Sequence, residues 1–133
     1  AFEKLYRFYE AFARLMAAKS RWRENLPALC VETAGQGIAL AQDCRAEIAR
    51  CRLAWEALWE QVNKPFGYEI IDLRLSGLDG RYETTLRKLE RLRGGDTAVL
   101  ALVREEKLRV LSDEEGRFYG IGAWSDCVSA CKI

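Results

Sequence analysis

The sequence predicts an all-α domain: three long antiparallel helices, a short fourth helix, and an extended, aromatic and glycine-rich C-terminal tail. Three observations predict it. Apolar residues recur at three- and four-residue steps through three long segments rich in Ala, Leu, Glu, Arg and Lys, residues that favour helix. The two prolines, Pro27 and Pro65, fall between those segments rather than inside them. The glycines at Gly35, Gly37, Gly94 and Gly95 punctuate the remaining boundaries.

The first segment carries Phe2, Leu5, Tyr6, Tyr9, Phe12, Ala13 and Met16 on one helical stripe, with Glu3, Arg7, Glu10 and Arg14 on the other face. That stripe is expected to face the core. The helix is expected to run to about Cys30, kinked or broken at Pro27. Thr33 to Gly37 reads as a turn, with the second helix starting just after it. Its seam is Ala41, Cys44, Ile48, Cys51, Trp55, Leu58 and Val62, a heptad-like alternation of steps suited to packing between long helices. It should stop near Asn63, because Pro65 pushes Lys64 out of helical geometry and Gly67 follows. The third helix should span about Tyr68 to Arg93, lined by Ile71, Leu75, Leu78, Tyr82, Leu89 and Leu92, with Leu86 beside the seam. Gly77 and Gly80 weaken it and would let another backbone approach closely. Gly94-Gly95 ends it, and Asp96 should cap a short fourth helix to about Lys107. Residues 109–133 form the tail, where Gly116, Gly120 and Gly122 interleave with Phe118, Tyr119, Ile121 and Trp124.

The chain has 133 residues, half of them apolar, which is enough for one domain with a genuine core. A single helical domain over residues 1–133 is therefore expected. The formal charge is +1, from 21 basic and 20 acidic residues, which argues against a nucleic-acid or polybasic membrane binder. No apolar run approaches the ~18 residues of a membrane span. Histidine is absent, which removes Ser-His and Cys-His nucleophile pairs and every His-containing metal site. The five cysteines, Cys30, Cys44, Cys51, Cys127 and Cys131, lack paired zinc-ligand spacing. They read as reduced thiols of a cytoplasmic protein, with Cys44 and Cys51 in the helical seam. No cofactor is expected.

Other candidates for chemistry reduce to structure. Gly94-Gly95-Asp96 joins two helices and no Walker-type Lys-Ser/Thr follows it. Glu105-Glu106 and Asp113-Glu114-Glu115 are adjacent carboxylates that diverge instead of facing one cleft. Trp55 and Trp59, one turn apart, fit a core better than a sugar platform.

The segment after the second helix is the most distinctive. Leu58-Trp59 precedes Asn63-Lys64-Pro65-Phe66-Gly67-Tyr68-Glu69-Ile70-Ile71-Asp72-Leu73-Arg74-Leu75-Ser76-Gly77-Leu78. As local structure this is a helix-helix corner with Lys64, Glu69 and Asp72 within reach of one another and carboxylates at a helix start. The stretch resembles the C-terminal helical domain of bacterial β-N-acetylhexosaminidases of glycoside hydrolase family 20. Arg81, Arg87-Lys88-Leu89-Glu90, Ala18-Lys19, Glu105-Glu106-Lys107-Leu108 and Trp124 continue the similarity. Ser76 stands where that family has glycine.

The resemblance implies a non-catalytic part of a longer exo-acting glycosidase. The parent is the enzyme, and this chain by itself is not. Its partner would be the catalytic barrel of the same protein, with a homodimer contact or a wall of the substrate mouth as further roles. The family's catalytic Asp-Glu pair follows a His-x-Gly-Gly motif that this chain lacks, so no catalytic residue carries over. Lys64, Phe66, Glu69, Asp72, Arg74 and Trp124 are the candidate interface or substrate-mouth residues. The alternative reading is a self-contained helical bundle that acts as a protein-interaction module.

Overall fold

In the computed structural model, residues 2–62 and 66–104 are described, and they form an all-α bundle. Helix α1 spans Glu3–Asn25, α2 Ala34–Val62, α3 Glu69–Arg93 and the short α4 Leu100–Val103. The expected tail, with Trp124, Cys127, Cys131 and the Glu105-Glu106 and Asp113–Glu115 carboxylates, lies outside the described residues, as does Lys64. α2 is the middle helix, and α1 and α3 pack antiparallel along it.

α1 ends where Pro27 enters a 3₁₀ turn at Leu26–Ala28, after which Leu29 is extended. α2 begins at Ala34, four residues earlier than its glycines suggest. The Thr33 carbonyl already accepts from the Gly37 N–H at 3.1 Å. The Thr33 hydroxyl, meanwhile, accepts from the Cys30 N–H at 2.9 Å and donates to the Ala28 carbonyl at 3.0 Å. Gly37 therefore sits inside the helix for a packing reason. A Cβ there would lie 2.9 Å from the Leu29 Cδ1 and 3.4 Å from a Leu89 methyl. The glycine lets the incoming loop and α3 close onto α2.

α2 stops at Val62 and α3 runs from Glu69 to Arg93, close to the expected bounds. Gly95 at φ +98 closes α3, with its N–H on the Leu92 carbonyl at 2.8 Å. Asp96 caps the next turn by accepting from the Ala98 N–H, although that turn, Thr97–Val99, is 3₁₀ rather than α.

The core corrects one expectation. The face of α1 turned to the bundle is Ala11, Leu15, Ala18 and Trp22, with Phe8 packed beside them. The stripe Phe2, Tyr6, Tyr9, Phe12 and Met16 is exposed, from 70 % at Phe2 to 39 % at Met16. At about 100° per residue it lies roughly opposite the buried face. α1 thus has two apolar arcs, and α2 takes the one built of smaller residues plus Trp22, because Ala11 and Ala18 let the helix axes approach. In α2, Ala41, Cys44, Ile48, Cys51 and Leu58 are buried as the seam requires, and in α3 so are Leu78, Tyr82, Leu89 and Leu92. Trp22 meets Tyr82 edge-to-face, with ring centroids 5.9 Å apart, so α1 and α3 touch over α2.

Two bidentate ion pairs set the register of α2 against α3. Arg45 Nε and Nη2 reach Asp79 at 2.7 and 3.0 Å, and Arg52 does the same to Asp72. Both partners are spaced one heptad apart on antiparallel helices, so a slip would break both forks together. The guanidinium hydrogen bonds hold the Asp72 and Asp79 carboxyls below the usual carboxylate range, against the opposing effect of burial. A depressed carboxylate contributes stability that is complete above the unfolded value of about 3.9 and is lost as pH falls through the folded value. The pairs are partly exposed, so each is worth at most about 1 kcal/mol. In an acid titration of melting temperature from roughly pH 5 to pH 2, Asp72→Asn with Asp79→Asn should show a shallower decline than the wild type. An unchanged slope would show that the forks contribute register without stability.

Candidate functional site

The end of the bundle where α1 begins, α2 finishes and α3 starts is built differently from the rest. A ladder of rings fills it: Phe8 lies 5.2 Å from Trp55, and Trp55 lies 5.3 Å from Trp59. The corner between α2 and α3 is tied to this ladder. Trp55 Nε1 donates to the Tyr68 carbonyl at 3.1 Å. Gly67 takes φ +105 with the Trp59 ring beneath it, 3.1 Å from where a Cβ would stand. Only glycine meets both the torsion and the clearance.

The sequence candidates divide here. Asp72 is not free for an external partner, because Arg52 holds it through two hydrogen bonds. The Glu69 carboxylate turns back to accept from the Gly67 N–H at 2.7 Å, which fixes the corner at the start of α3. Phe66 is 84 % exposed and Arg74 is exposed on α3. Lys64 and Trp124 lie outside the described residues. The corner therefore supplies two structural carboxylates and two side chains that face solvent.

The surface that sequence reasoning misses is the outer face of α1. Its residues are plain in the sequence, and so is their helical spacing, but spacing alone cannot say which of two arcs meets α2. The face presents Phe2, Tyr6, Tyr9, Phe12 and Met16 along four turns. Leu53 of α2 and Phe66, Ile70, Ile71 and Leu73 around the start of α3 are exposed as well. Among the described residues, every exposed large apolar side chain other than Met16 and Leu102 lies at this end. The opposite end holds Trp22, Leu29, Tyr82, Leu92, Val99 and Val103 buried. Contiguous exposed apolar surface of this kind marks an interaction site.

The described residues offer nothing comparable for chemistry. Among them no cluster of His, Cys, Asp or Glu could hold a metal ion. No helix there is long and apolar enough to cross a membrane. Cys44 and Cys51 are fully buried and burial pushes both thiols up, away from the reactive thiolate. Of the three described cysteines, alkylation of the folded chain followed by mass spectrometry should modify half-buried Cys30 first, with Cys44 and Cys51 reacting only in denaturant. Early labelling of Cys44 would reveal an opening of the core.

No curated protein and no solved structure matches the chain. Residues 1–120 match the family model described as the glycoside hydrolase 20C C-terminal domain. The match over nearly the whole length of this helical chain places it in the family of glycoside hydrolase 20C C-terminal domains.

Proposed function

We propose that the domain is a non-catalytic buttress for the catalytic barrel of a β-N-acetylhexosaminidase-like glycosidase, working in the cytoplasm, and that the outer face of α1 is its docking surface. The observation that carries this reading is the second apolar arc of α1, which α2 and α3 leave uncovered. Burying apolar surface contributes about 25 cal/mol per Å², so five large side chains left in water are a substantial unused driving force. Tyr6 and Tyr9 suit a seam between domains, since each ring can be buried while its hydroxyl remains at the wet rim.

The occupant is the catalytic domain of the same protein. In a C-terminal domain the first helix is nearest in the chain to the domain that precedes it, and the apolar arc is densest in the first four turns of that helix. Phe66 and Arg74, exposed at the same end, extend the contact toward the substrate mouth or a second subunit. A non-catalytic role is supported by the lack of histidine in the sequence and, among the described residues, by the commitment of the Asp72, Asp79 and Glu69 carboxylates to Arg52, Arg45 and the Gly67 N–H.

The test is made in the full-length enzyme, with Tyr9→Asp and Phe12→Asp together. Loss of coupled unfolding between the two domains is the expected result. Unchanged unfolding and hexosaminidase activity would assign the face to some other partner, as in a self-contained interaction module.

A further inference from the structure

We propose that the outer face of α1 is a helix-packing seam, and that its occupant is one helix of the preceding catalytic domain, apolar over four turns and acidic at the end that meets Lys19 and Arg23. This occupant rests on the docking reading above, which leaves open what kind of element meets α1. The helix carries two seams with one step pattern. Phe8, Ala11, Leu15, Ala18 and Trp22 advance by three, four, three and four residues, and that seam packs into the bundle against α2. Phe2, Leu5, Tyr9, Phe12 and Met16 advance by the same three, four, three and four. Such alternation keeps side chains in line along a helix and sets them as knobs between the residues of a facing helix. Leu5 is half-buried and the other four are exposed, so α2 and α3 leave the second seam open. Tyr6 and Ala13 flank it on one side, which widens it to the arc that a bundle helix turns to a neighbouring helix.

The rings of the outer seam are already held. Phe8 lies 5.2 Å from Trp55 on the inner side, and 6.0 Å from Tyr9 and 6.2 Å from Phe12 on the outer side. The aromatic ladder of the corner thus runs through α1 to its outer surface. A helix that docks on Tyr9 and Phe12 meets side chains with little rotamer freedom left to lose.

The length and charge of the partner follow from the same steps. From Phe2 to Met16 is about 21 Å along a helix axis. The next two positions of the series, again by three and four, are Lys19 and Arg23. Arg23 is exposed and Lys19 half-buried, and neither has a carboxylate partner among the described residues. Glu3 and Glu10 are held by Arg7 and Arg14. Glu24, next to Arg23 in sequence, lies about 100° away round the helix. The seam therefore ends in two uncompensated cations in line. Carboxylates on the facing helix complement them and fix its register, as charged positions do between paired helices.

Hydroxyl-radical footprinting of the full-length enzyme and of the 133-residue chain tests it, each side chain being compared with itself in the two forms by mass spectrometry. Leu5, Tyr9, Phe12 and Met16 should be oxidised about tenfold or more slowly in the full-length enzyme, and Tyr6 at the rim should slow by a smaller factor. Buried Trp22 and Tyr82 should stay unreactive in both forms, which reports an intact bundle. In the full-length enzyme, Lys19→Glu with Arg23→Glu should return Tyr9 and Phe12 toward the rates of the free chain. Tyr6 shielded as strongly as Tyr9 would keep the docking and overturn the helix, because the shielding would then ignore the seam. Equal oxidation of every seam residue in the two forms would overturn the docking itself. Shielding in the 133-residue chain that rises with its concentration would put a second copy on the seam in place of the catalytic domain. Full shielding in the charge-reversed variant would overturn the acidic end of the partner.

Discussion

Trp22→Ala is expected to destabilise the domain by about 3–5 kcal/mol, the largest effect of any single substitution here. Trp22 is 1 % exposed and, among the described residues, is the biggest side chain fully inside. It stands on Tyr82 of α3 while belonging to α1, so it joins the two outer helices across α2. With Asn25, Leu26, Leu29, Gln36 and Gly37 it lines a small pocket where the α1–α2 connection folds over. Those groups belong to different elements and cannot all collapse into the space, so the cavity cost adds to the lost burial. A domain of this size has total stability of about 5–15 kcal/mol, so the variant should melt near or below body temperature. Trp22→Phe is the informative control. Among the described residues the indole N–H has no hydrogen-bond partner, so phenylalanine loses volume but no bond and should cost only about 1–2 kcal/mol. Urea titration of the two variants checks both figures. Similar large losses for both would mean that the indole N–H is held after all.

The second large effect depends on context. In the isolated chain, Tyr9→Asp with Phe12→Asp should change stability by only about 0.5 kcal/mol per site, because both side chains are largely in solvent. In the full-length enzyme the same pair should cost about 2–4 kcal/mol of interdomain coupling, the range for aromatic anchors at a contact. Calorimetry should then resolve two transitions where the parent gives one. The isolated variant should also bind less of a hydrophobic-surface dye than the wild-type domain. A loss of the same size in both contexts would place these rings in the fold rather than in a docking surface.

Much of the architecture is legible in the residues. α2 ends at Val62, close to the bound expected from the sequence, and Gly94-Gly95 ends α3 through the positive φ of Gly95. The seams of α2 and α3 can be read over most of their length because each has one dominant apolar arc, although Ile71, expected to open the α3 seam, is exposed. α1 misleads because it has two. Phe8, Ala11, Leu15, Ala18 and Trp22 repeat at the same steps as Phe2, Tyr6, Tyr9, Phe12 and Met16, and the second set is bulkier. Bulk favours burial in general, but a helix interface favours small residues that let axes approach, and that competition is settled only by the facing helix.

The helices, their order, the corner at Gly67 and the lack of histidine chemistry thus follow from the residues alone, and all of them are local in origin. The packed bundle, in contrast, decides which arc of α1 is inside, that Gly37 serves packing rather than a turn, and that Asp72 belongs to Arg52. Each depends on atoms far apart in the chain. Periodicity describes one helix, whereas burial, clearance and ion pairing are properties of two helices brought together.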